Sequence, residues 1–147
     1  MRFQLLPHAL KLLDWIDQFE AHTEQSASLQ DWVACYLQAI GHRKQAEPLY
    51  RQALAIRQRV LGEEHPATAD SYNNVAMNLD AQGRYQEAEP LYRRALEILR
   101  ATLPPGHPLI EETQASLDIL LTKRGGFRSA IRKLLAFWKT THAVRFR

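Results

Sequence analysis

The chain repeats itself every 42 residues. Ala46-Glu47-Pro48-Leu49-Tyr50-Arg51 returns as Ala88-Glu89-Pro90-Leu91-Tyr92-Arg93. Ala53, Leu54 and Ile56 return as Ala95, Leu96 and Ile98, and His65-Pro66 returns as His107-Pro108. Gly41, Gly83 and Gly125 keep the same spacing. From Ala46 to Glu87, 14 of 42 positions are identical one period later, which fixes the register of the copies. A period of this length points to a solenoid, in which each unit buries its apolar face only against its neighbours. Such a fold offers a surface for partners more readily than a pocket for chemistry.

Residues 66–103 make the clearest unit. Pro66 suits a first helical position, where a missing N–H is no loss. Ala69, Tyr72, Val75, Ala76 and Leu79 then recur at three- and four-residue steps, one face of a helix. Gly83 can take the left-handed cap conformation that ends it. A second helix follows, with Tyr85, Ala88, Leu91, Tyr92, Ala95 and Leu96 on one face. The run Leu103-Pro104-Pro105-Gly106 cannot continue it. The unit is therefore a helical hairpin. Ala76 and Ala88 are expected where its backbones come closest, with Tyr72, Leu79 and Tyr92 filling the space between hairpins.

This pattern resembles the tetratricopeptide repeat, on Tyr72, Val75, Ala76, Leu79, Ala88, Tyr92 and Ala95. The preceding copy supplies Gln30, Val33, Ala34, Leu37, Ala46, Tyr50 and Ala53; the following one supplies Gln114, Leu117, Asp118, Leu121, Ala130, Leu134 and Phe137. The 42-residue length and the strings Ser71-Tyr72-Asn73-Asn74-Val75-Ala76 and Leu61-Gly62-Glu63-Glu64-His65-Pro66 look like the kinesin light chain subtype. The resemblance implies an all-α, right-handed superhelical array of about three hairpins plus an N-terminal helix. The expected parts of this single domain are a capping helix at 4–20 and repeats at 28–61, 66–103 and 108–140. Gly125 is expected to turn the third hairpin. Gln30, Gln114 and Asp118 depart from the pattern and predict looser outer repeats, with Asp118 answered by Arg128 or Arg132.

The stretch Leu5-Leu6-Pro7-His8-Ala9-Leu10 ahead of such an array also looks like the sensor arms of NB-ARC-type signalling ATPases. No GxxxxGK[ST] string is present, so the chain reads as a piece of such a sensor or as a stand-alone array. Ile131, Leu135 and Trp138 near the far end have no capping helix after them in the sequence. Self-association through the array ends is the alternative to a monomer whose tail folds back.

Charge is unevenly placed. Residues 1–122 carry 11 Lys/Arg and 16 Asp/Glu, whereas residues 123–147 carry 8 Lys/Arg and no acid. The basic end reads as a solvated helix or as a weak contact for a polyanion, nucleic acid included. A single cysteine, Cys35, excludes an intrachain disulfide and fits the cytoplasm. No run is long and apolar enough for a membrane span, and the N-terminus does not read as a signal peptide. The six histidines lack metal-ligand spacing with one another or with Cys35. His65 and His107, each before a helix-starting proline, read as loop caps. No enzyme, metal or cofactor is expected.

The resemblance assigns partner contact to the first helices of the hairpins, which line a concave groove. The expected contacts are Asp31, Cys35 and Gln38 in repeat one, and Asp70, Asn73, Asn74, Met77 and Asp80 in repeat two. Ala115 and Ile119 follow in repeat three. Asn side chains can bond the backbone of an extended peptide with both a donor and an acceptor. These helices carry no Lys or Arg before Lys123, which argues against gripping a C-terminal carboxylate or an acidic peptide. The expected function is a non-enzymatic protein-interaction scaffold. A regulatory or oligomerisation arm of a larger ATPase is the alternative, and weak nucleic-acid binding the third reading.

Overall fold

The computed structural model describes residues 23–142 together with Pro7, Lys11 and Asp14. In the last helix, side chains are described as far as Gly126 and again at Ile131. Apart from its three isolated residues, the expected capping helix at 4–20 lies outside the described residues. Five helices follow: α1 (Glu24–Ala39), α2 (Arg43–Val60), α3 (Pro66–Ala81), α4 (Tyr85–Thr102) and α5 (Pro108–His142). Among the described residues there is no strand.

Local chemistry sets most of the boundaries. Thr23 caps α1 by accepting from the Ser26 backbone N–H, while the Ser26 hydroxyl accepts from Thr23 N–H. The helix therefore begins four residues ahead of the expected repeat at 28. Pro66 opens α3, and the His65 imidazole accepts from the Ala67 N–H, the loop-cap role its position suggested. Gly41 and Gly83 take φ of 91° and 78°, the left-handed conformation that lets each chain reverse tightly between paired helices.

Packing follows the repeat. Ala34, Ala46, Ala76 and Ala88 are fully buried, and Tyr50 and Tyr92 fill equivalent places beside them. One apolar cluster runs from Val33 on α1 to Leu120 on α5, so the five helices share a continuous core. Ala53 and Ala95 lie in smaller clusters at the other ends of their helices.

The third copy departs from expectation. No turn forms at Gly125; α5 runs through Gly125 and Gly126 for 35 residues. The second copy differs locally at its turn. The Gly83 turn is clamped by Arg84, whose guanidinium bonds Glu47 on α2 and Glu87 on α4. The Gly41 turn forms with His42 and Gln45 at these positions, so the clamp is not general, but Gly126 and Ser129 leave the third copy without it. Asp118 is consequently exposed where Ala76 is buried, and it accepts from Gln114 Nε2 at 2.9 Å. The side chains of Arg128, Arg132 and Ala130 lie outside the described ones.

Candidate functional site

The helices α1, α3 and α5 are joined side by side through polar contacts. Asn78 on α3 donates to Gln38 on α1 at 2.8 Å, and Asn74 reaches Asp31 at 3.5 Å. Lys123 on α5 donates to both carboxylate oxygens of Asp80 at 3.0 Å. These bonds bring the first helices of successive copies onto one face. They also occupy four expected contact residues: Asp31, Gln38, Asn74 and Asp80.

The other six take no part in these contacts between first helices. Cys35, Met77 and Ile119 lie one period apart and all three are exposed, Met77 at 39% and Ile119 at 55%. They make a ladder of soft apolar side chains across the three helices. Ala115 is exposed one turn before Ile119. Asn73 holds its Oδ1 atom buried without a donor among the described residues. Such an acceptor loses its hydration without recovering a hydrogen bond. Asp70 is half-buried and makes no described ion pair. Burial pushes its carboxyl above the usual range; Arg57 opposes this, while the charges of Asp31 and Glu112 add to it.

Two residues on this face escaped sequence reasoning. Arg57, on α2, is 7% exposed and ties α1 to α3. Its guanidinium bonds Glu24 at 3.1 Å, pairs with Asp31, and meets the Ser71 hydroxyl. Burial works to discharge it, but the hydrogen bond and charge of Asp31, then those of Glu24, outweigh burial and hold it protonated. The face is thus not free of cations. Its periodic counterpart is the buried Leu99, so the repeat pattern predicts an apolar residue here. The other is Trp32, 56% exposed and stacked on Tyr36 with ring centroids 6.5 Å apart. It stands one period before Asn74, a correspondence that could have identified it.

Among the described residues, no group of three His, Cys, Asp or Glu is placed to hold a metal. No described helix is long and apolar enough to cross a membrane.

A tetratricopeptide repeat family model matches residues 24–101. No curated protein sequence matches the chain. Among solved structures, BtubC (BKLC) from P. vanneervenii is 21% identical with a TM-score of 0.70, over 99% of this chain and 60% of that one. At that identity the likeness speaks to fold alone. The nearly identical TPR-like repeats of a Podosopora anserina protein, provisionally a kinesin light chain, are 26% identical with a TM-score of 0.69. They cover 97% of this chain and 69% of theirs, as does a form of the same repeats with one residue substituted. The chain therefore spans less than two thirds of BtubC and slightly more of the fungal repeats. With the hairpins, the 42-residue period and the matched segment in agreement, the chain belongs to the tetratricopeptide repeat family, in its kinesin light chain-like form.

Proposed function

We propose that the α1–α3–α5 face holds an extended segment of another protein, without catalysis. Proteins of this repeat family serve generally as interaction scaffolds. The observation that carries the finer reading is the exposed ladder Cys35–Met77–Ile119. The ladder suits an aliphatic or aromatic side chain, and the Asn73 amide suits a peptide backbone once it turns outward from its buried position. Asp70, with Glu112 nearby, favours a Lys or Arg in the same segment. A cytoplasmic setting fits, since the exposed Cys35 stays reduced there.

The test is selection of peptides from a displayed random library on the purified chain, followed by affinity measurements on variants. Met77→Glu should weaken the selected peptides at least about tenfold by placing a charge in the apolar contact. Asn73→Ala should cost roughly 0.5–1.5 kcal/mol. Peptides that bind both variants as tightly as the parent chain would move the site off this face.

A further inference from the structure

In the array, the second helix of each hairpin fills the space between the preceding second helix and its own first helix. Leu54, Val75 and Leu79, from α2 and α3, share one buried cluster with Ala88 and Tyr92 of α4. One period later these three become Leu96, Leu117 and Leu121. There the same place is an open cleft of about 490 Å³ between α4 and α5, edged by Arg93, Glu97, Arg100 and Gln114. Exposure differs at one of the three: Leu79 is fully buried and Leu121 only partly, while Leu96 and Leu117 stay buried at the cleft floor.

The sequence names the segment shaped for that cleft. Ala130, Leu134 and Phe137 stand one period after Ala88, Tyr92 and Ala95. Yet α5 continues straight through its two glycines to His142. At 1.5 Å per residue, residues 127–142 are carried about 24 Å along the helix axis, away from their own chain's cleft. The segment that matches the cleft by period can then reach it only from a second copy of the chain. The fit is apolar rather than electrostatic: the segment carries Arg128, Arg132 and Lys133, and the cleft edge carries Arg93 and Arg100 beside Glu97.

We propose that two copies of this chain exchange their 127–142 helices, each seating the segment in the α4–α5 cleft of the other. The hinge is Gly125–Gly126, through which α5 stays continuous. Exchange of an identical element is a low-cost route to a closed dimer. The association is separate from the α1–α3–α5 face and does not depend on its reading.

Light scattering on the full chain over a concentration series should show a shift from the 17.0 kDa monomer to twice that mass. Leu121→Glu, in the cleft, should weaken the dimer at least about tenfold with helicity by circular dichroism retained. Gly125→Ala with Gly126→Ala should tighten it roughly tenfold or more, because alanine favours the continuous helix. A decisive arm mixes two proteins in a Cys35→Ser background, one carrying Asp118→Cys and the other Ala130→Cys. These positions correspond to Ala76 and Ala88, which share one buried cluster. A disulfide-linked heterodimer on mild oxidation is the expected result. Monomer at every concentration, a dimer indifferent to Leu121→Glu, or no heterodimer disulfide would overturn the exchange. So would an intrachain disulfide in a protein carrying both cysteines.

Discussion

Single side chains decide how firmly one copy holds the next. Tyr72 is the clearest case: its hydroxyl donates to Glu63 at 2.6 Å and accepts from Gln58 at 2.8 Å. Arg94 reaches the same carboxylate at 3.3 Å, so α2, α3, α4 and the intervening loop meet at one group. The Tyr72 hydrogen bond is the main reason the Glu63 carboxyl lies below its usual range; burial opposes it, and Gln58 and Arg94 assist. A carboxylate with a depressed folded pKa binds fewer protons than in the unfolded chain. Its stabilisation is therefore present above the ordinary value of 4.5 and is lost as pH falls through the folded value. Tyr72→Phe should cost roughly 1 kcal/mol at neutral pH, at the modest end for a bond to a charged group because Glu63 is partly exposed. That cost should shrink in acid, while the Glu63 pKa rises toward 4.5. Urea unfolding at neutral and acid pH, with a carbon-13 titration of Glu63, measures both. An equal loss at both pH values would show that the hydroxyl does not act through this carboxylate.

Helix pairs carry the next level of constraint. Ala76 and Ala88 are both fully buried in one cluster. Ala88→Leu should overpack the α3–α4 contact and cost about 1–3 kcal/mol. An unchanged thermal midpoint would mean that the helices meet elsewhere. A sharper comparison uses two glycines in the same slot of successive copies. Gly83 sits at φ 78°, a conformation that L side chains rarely adopt, so Gly83→Ala should destabilise by about 1 kcal/mol. Gly125 lies within α5 with nothing within 4 Å of an added Cβ, so Gly125→Ala should stabilise by up to about 1 kcal/mol. Opposite signs in paired unfolding curves are expected. Destabilisation in both would mean that the third copy turns as the second does.

Across the molecule, charge divides at the Asp80–Lys123 contact. Lys123 and Arg124 answer Asp80 and Glu89 of the acidic body, leaving the other six cations of residues 123–147 without a carboxylate in their own segment. This end should hold DNA duplexes weakly and without sequence preference at low salt. The attraction should vanish near physiological salt, where screening acts over ~8–10 Å. Titrating several labelled duplexes at two ionic strengths checks this; sequence-selective binding at the higher strength would contradict it. The sequence by itself determined the hairpins, their period and most helix ends. Those depend on local backbone chemistry, such as Pro66 opening α3, Gly83 turning left-handed and alanines marking close contacts. The resemblance pointed to the first helices as one face, and the period places Cys35, Met77 and Ile119 in register on them. Only the tertiary structure decided which polar groups on that face remain free, since Arg57 finds Asp31 across 26 residues and Lys123 finds Asp80 across 43. It alone decided that the third copy stays open. A glycine permits a turn without compelling it: Gly41 and Gly83 turn left-handed while Gly125 stays inside α5, and packing between helices distant in sequence selects between the two.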